Sequence, residues 1–192
     1  MNGRHWLAVT LLLIGGTTDS VLAQDRGIIL LAHGAYRLPT SSLNEQGGDV
    51  SAHWSGGGGL ALQLTPNLAL RGSASIGGGT LRSSDPGLDG IALRRTVGLF
   101  DLQAGVPTTS GWNPYAIAGA GFVHTNPRAT GAEVFTSFSP HFGAGTMYVM
   151  DNRFLSLFWE LGGILYSFDA LGLSSYQFDL ELRAGIAYAI PF

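Results

Sequence analysis

The chain has 192 residues, with no cysteine and no lysine among them. Without cysteine there is no disulfide framework, no thiolate metal site, no thiol nucleophile and no lipid-attachment cysteine. All ten basic residues are arginine. Soluble β-proteins ordinarily use lysine on their surfaces and to blunt exposed strand edges, so its absence argues against a water-facing exterior. Charge of either sign is scarce: 12% of the residues are charged, about half the ~25% of an ordinary soluble domain. The formal net charge of −3 offers no electrostatic footprint for a nucleic-acid partner. Beyond the N-terminus, Gly, Ser, Arg or Asp interrupts every apolar run before it reaches the ~20 residues a membrane-spanning helix needs. If the mature chain crosses a membrane, it crosses with strands.

What the chain does contain begins with an export signal. Arg4 and His5 precede an apolar run from Trp6 to Ile14, and Val21-Leu22-Ala23 precedes Gln24. This is the tripartite pattern of a secretory signal peptide, and cleavage after Ala23 is expected. Residues 1–23 are then removed, and residues 24–192 form one domain. The 29 glycines follow no collagen-like period and are spread through alternating apolar segments, which suits closely packed strands.

The clearest alternation lies at the C-terminus. Phe178, Leu180, Leu182, Ala184, Ile186, Tyr188, Ile190 and Phe192 share one parity, and Asp179, Glu181, Arg183, Gly185, Ala187, Ala189 and Pro191 share the other. This is one long amphipathic strand. The same pattern places strands near 27–37, 51–65, 68–78, 92–106, 114–125, 137–150, 154–167 and 176–192, with Phe158 breaking the rule in the seventh. Connections at Pro66-Asn67, Pro107 to Asn113 and Asp151 to Arg153 are short. Those around Pro39 to Val50, Gly79 to Ile91, Asn126 to Thr136 and Phe168 to Ser175 are mostly longer. An even strand count with short turns at one end and long loops at the other predicts an all-β fold: a closed, antiparallel, eight-stranded transmembrane β-barrel in up-and-down meander order.

Alternation alone does not say which face meets lipid, because a soluble lipocalin-like barrel alternates too. The composition of the polar face decides. It is mainly Gly, Ala and Ser with a few charges, which suits a narrow interior and makes a poor water-facing surface. The other face carries Leu, Ile and Phe, with Tyr36, Tyr115, Tyr148, Tyr188 and Phe192 near strand ends as an expected interfacial girdle.

On these residues the chain from about 27 to 192 resembles the small outer-membrane β-barrel family with OmpA-like and OmpX-like members. Three segments carry the resemblance: Leu64-Thr65-Pro66-Asn67-Leu68-Ala69-Leu70, similar to a first periplasmic hairpin; Asn113-Pro114-Tyr115-Ala116-Ile117-Ala118-Gly119-Ala120-Gly121, similar to a Pro-Tyr-x-x-x-Gly-x-Gly strand; and the aromatic terminal strand. It implies the Gram-negative outer membrane as location, both termini periplasmic, and outer-membrane lipids and lipopolysaccharide as surroundings. It also implies an assembly signal of Tyr188, Ile190 and Phe192 read by the barrel-assembly machinery. Pro191 departs slightly from the pattern and removes one backbone donor near the seam.

Arg71, Asp101, Glu160, Asp179, Glu181 and Arg183, with His33 and His141, fall on the interior parity. Charges inside so small a barrel must be paired, because an isolated buried ion is costly. Neighbouring strands predict Arg71 with Asp101, and Arg183 with Glu160 or Glu181, as a structural network. The alternative is the selectivity constriction of a narrow solute channel, porin-like in function. Ser139 and His141, two apart on one strand, are the sharpest catalytic candidate. They resemble, in reversed order, the His-x-Ser pair of lipid A deacylases, and the expected role of the chain stays non-enzymatic. No metal-ligand spacing or phosphate-loop motif is present, and no cofactor is expected. The functional expectation is a structural or surface-interaction protein of the envelope.

Overall fold

A computed structural model describes residues 27–41, 48–171 and 173–191. The expected signal peptide and Phe192 lie outside the described residues. The elements are β1 (Gly27–Pro39), a short β2 (Asp49–Val50), β3 (His53–Thr65), β4 (Leu68–Arg82), β5 (Ala92–Gly105), β6 (Trp112–Pro127), β7 (Phe135–Val149), β8 (Leu155–Ala170) and β9 (Leu173–Pro191). Strand β2 pairs only with the end of β4. The other eight pair antiparallel in chain order, β4 with β5 among them, and β1 pairs with β9 from Gly27↔Pro191 to Pro39↔Asp179. The sheet therefore closes on itself as an eight-stranded meander, and closure removes the strand edges that β-proteins must otherwise protect.

The connections alternate as the sequence predicts, with one correction. Residues 171 and 172 alone separate β8 from β9, where a longer loop from Phe168 to Ser175 was expected. Leu171 takes a left-handed φ of 57° to make the turn. At this end of the barrel the inward side chains are themselves apolar, including Phe168 and Leu173, so the apolar/polar contrast that marks a strand fades.

Burial is inverted relative to a water-soluble protein. Phe100, Trp54 and Phe138 are more than 70% exposed, while Arg37, Arg95 and Arg183 are 1% exposed. Large apolar side chains cover the outside of every strand of the barrel, and the charges fill the inside; only an apolar solvent makes that arrangement favourable. The barrel is transmembrane. Outward aromatics cluster near the strand ends: Trp112 packs on Tyr148 and Trp159 with centroids 4.9 and 5.7 Å apart, and Phe154 lies 6.4 Å from Tyr188. Tyr36 and Trp54 pair at 4.9 Å toward the other end.

One expectation about an individual side chain is corrected. Tyr115 does not join the outer girdle; it points inward, 6% exposed. Phe158 is the apolar exception on the interior parity of its strand, as the sequence reads. In β8 the even positions face inward, and Phe158, 1% exposed, lies with its ring 5.7 Å from the Arg71 guanidinium.

Glycine lets the interior close. A Cβ at Gly119 or Gly121 of β6 would overlap the carbonyl oxygens of Phe100 and Gly98 on β5. On the outside, the Phe122 ring lies across Gly98 of the neighbouring strand, 2.6 Å from where a Cβ would sit.

Candidate functional site

Four arginines and four carboxylates converge inside the barrel, each no more than 3% exposed: Arg37, Arg71, Arg95 and Arg183 with Asp101, Glu160, Asp179 and Glu181. Equal numbers of opposite charges allow every ion a partner without net charge in a low-dielectric space.

Glu160 is the hub. Both terminal nitrogens of Arg71 donate to its two oxygens, the second at 3.0 Å. The Tyr115 hydroxyl donates to the same carboxylate at 2.9 Å, and the Arg183 guanidinium lies 3.3 Å away. Arg183 also pairs with Glu181 at 2.5 Å. Glu181 in turn accepts from Arg37 Nε at 2.6 Å, and another nitrogen of Arg37 donates to Ser75 Oγ at 2.7 Å. The chain of contacts thus runs through β4, β6, β8, β9 and β1, crossing the interior. A second group lies nearer the long loops: Arg95 pairs with Asp179 at 3.0 Å, Tyr166 donates to Asp179 at 3.1 Å, and the guanidinium of Arg95 sits 5.0 Å from the Tyr166 ring. His141 Nδ1 meets Asp101 Oδ1 at 2.8 Å.

Arg183 pairs with both carboxylates expected for it. The expected Arg71–Asp101 pair does not form, although the two residues face each other in the β4–β5 register. The reason is local geometry. Asp101, Gly119 and His141 stand in one row across β5, β6 and β7, and a Cβ on Gly119 would come within 2.6 Å of Asp101 Oδ1. The bare glycine lets Asp101 and His141 meet over the strand between them. Tyr115, Gly145 and Glu160 repeat the device across β6, β7 and β8, where a Cβ on Gly145 would lie 3.0 Å from the Tyr115 ring and 2.9 Å from Glu160 Cγ. In these two rows the partners skip a strand across the glycine in the middle, and Arg71 reaches across to Glu160.

Reading the sequence missed Arg37, Arg95, Tyr115 and Tyr166 as members of these groups. For two of them the signal was present: Arg37 shares the parity of His33 and Ala35, and Arg95 that of Val97, Leu99 and Asp101. His33 is buried between Gly57 and Gly185 on the adjoining strands, and neither ring nitrogen has a hydrogen-bond partner.

Ser139 and His141 share the interior face but not a hydrogen bond. His141 is held by Asp101, and the Ser139 hydroxyl donates to the Leu165 carbonyl at 3.0 Å. Pro140 explains the second contact. The β7–β8 ladder stops at His141↔Ile164, and continuing it would set Pro140 opposite Leu165, where proline has no N–H to give. Ser139 supplies the missing donor, and Ser137 Oγ accepts from the Ser167 N–H at 2.8 Å. These hydroxyls are consumed in mending a seam, and Ser139 and His141 do not form a nucleophile–base pair.

On the long-loop side of the network the interior is filled by a buried apolar cluster including Val50, Leu81, Leu93, Val97, Leu99, Val123, Ile164 and Phe168. Of the expected assembly residues, Tyr188 and Ile190 face outward, 49% and 41% exposed. No group of three or more potential metal-ligating residues occurs among the described residues.

No known family model and no curated protein sequence matches the chain. Solved structures do match. Neisserial surface protein A superposes with a TM-score of 0.65 at 13% identity, covering 86% of this chain and 97% of that one. Outer membrane protein OprG from Pseudomonas aeruginosa gives 0.61 at 14% identity, covering 88% and 98%. Outer Membrane Protein W of E. coli gives 0.57 at 14% identity, covering 86% and 98%. Strand number and the closed barrel agree with these neighbours: the chain has the fold of the small eight-stranded outer-membrane β-barrels.

Proposed function

We propose that this chain is a non-enzymatic protein of a Gram-negative outer membrane, with a structural or surface-interaction role exercised through its long connections. Both termini and the short turns face the periplasm in this reading. The apolar exterior sits among outer-membrane lipids and lipopolysaccharide, and the last strand, with Tyr188, Ile190 and Phe192, addresses the barrel-assembly machinery.

The observation that carries the reading is the closed interior. Side chains from β1, β4, β6, β8 and β9 bond to one another across the barrel, and an apolar cluster lies on top of them. A solute path would have to break buried ion pairs and expel that cluster. Each buried pair resists the loss of a partner by several kcal/mol.

Two measurements test this. Expressed with its full N-terminus, the protein should fractionate with outer membranes and migrate faster on a gel when unheated than when boiled; recovery in the soluble periplasm would overturn the membrane location. Reconstituted in planar bilayers, it should give no unitary conductance. Steady, reproducible openings would refute the closed interior and establish a narrow channel instead.

A further inference from the structure

Between the charged network and the short turns the interior is not filled. A cavity of about 440 Å³ opens there toward the turns, within the ~300–1,000 Å³ typical of small-molecule sites. It is blind. Its inner end is formed by Tyr115, whose hydroxyl is tied to Glu160, and behind that stands the network. The walls are apolar, with Ile29, Ala69, Met147 and Ala187 packed on or into the cluster that also holds Leu31 and Phe158.

The mouth is different in kind. Five carboxamides line it: Gln63, Asn67, Gln103, Asn113 and Asn152. Three of them use one end of the amide to hold a turn. Gln63 Nε2 donates to the Thr65 carbonyl at 2.5 Å, Asn113 Oδ1 accepts from Thr108 N at 2.8 Å, and Asn152 Oδ1 accepts from Leu155 N at 2.9 Å. Each keeps the opposite end for another partner. Among the described residues Arg153 is the one charged residue at the mouth, with an interaction of its own, and no carboxylate lines the cavity.

We propose that this cavity binds a single-chain amphiphile with an uncharged, hydroxyl-rich head. The tail enters the apolar end, where burial removes it from water, and the head meets the ring of five amides, which offer donors and acceptors together and outnumber the single cation, Arg153. The site lies on the turn side of the closed interior, so the ligand is held and not passed through. The proposal does not depend on which membrane holds the barrel.

Methionine provides the probe. Met147 lines the cavity and Met150, three residues on, does not. In phospholipid nanodiscs carrying protein labelled at its methionine methyls, titration with 1-monolauroylglycerol should shift the Met147 signal saturably and leave Met150 in place. Glycerol should shift neither, and laurate should bind more weakly. Ala187→Phe, which fills the apolar end, should abolish the shift. Should that variant fail to assemble, Gln63→Ala with Gln103→Ala, both at the open mouth, should weaken binding about tenfold, the effect of losing two hydrogen bonds. An unmoved Met147, a shift that survives both changes at the mouth with full affinity, or equal binding of laurate would overturn the proposal.

Discussion

Replacing Glu160 by glutamine keeps its volume and one acceptor but removes the charge that three groups share. The consequences for those groups differ. Tyr115 can still donate to the remaining amide oxygen, and Arg183 keeps Glu181 at 2.5 Å. Arg71 loses its only carboxylate, because Asp101 is already committed to His141. One guanidinium, 3% exposed, is left without a counter-ion, and breaking a buried pair in this way costs about 3–5 kcal/mol. Glu181→Gln should cost a similar amount, since Arg37, 1% exposed, keeps the neutral Ser75 hydroxyl but loses its carboxylate, while Arg183 keeps Glu160. The matching change Arg71→Met in the Glu160→Gln background removes the stranded charge and should recover at least ~2 kcal/mol. Reversible urea unfolding in lipid vesicles, followed by tryptophan fluorescence, measures all four proteins, and added salt should not alter the ranking because the pairs are shielded from solvent. A loss below ~1 kcal/mol for Glu160→Gln, or a double variant no more stable than the single, would refute the hub.

The seam beside Pro140 should be the weakest part of the wall, so amide exchange in the loop-side half of β8 should be fastest at residues facing β7. Ser139→Ala should raise it further and cost ~1–3 kcal/mol by leaving the Leu165 carbonyl unpaired, whereas Pro140→Ala should slow it by restoring a donor. Gly121→Ala should block assembly, read as loss of the heat-dependent gel shift, because its Cβ would overlap the Gly98 carbonyl; Gly56→Ala, with nothing within 4 Å, should assemble normally. On the lipid-facing side, Leu70→Arg, at a position 50% exposed, should destabilise the barrel in vesicles by ~2–4 kcal/mol. Indifference to that arginine would mean the face meets water.

The sequence by itself determined the barrel. Period-two alternation assigns each residue of a strand to one face, and the composition of the two faces, leucine and phenylalanine against glycine and serine with paired charges, names the solvent on each side. That is why the strands of the barrel, the closure, the direction of burial and the interior placement of Arg71, Asp101, Glu160, Asp179, Glu181 and Arg183 could be read without coordinates. Alternation fades where both faces turn apolar, and the tight turn at Leu171 was lost there.

Only the tertiary structure decided who pairs with whom. Parity places a side chain inside but says nothing of its reach, and in a barrel this narrow an arginine touches strands far from its own in sequence. Arg71 passes its neighbour Asp101 for Glu160, and Asp101 meets His141, because Gly119 and Gly145 leave gaps that other side chains cross. The same holds for Ser139: its position on the interior face was legible, but its use, mending a ladder that Pro140 breaks, follows from the register of β7 against β8.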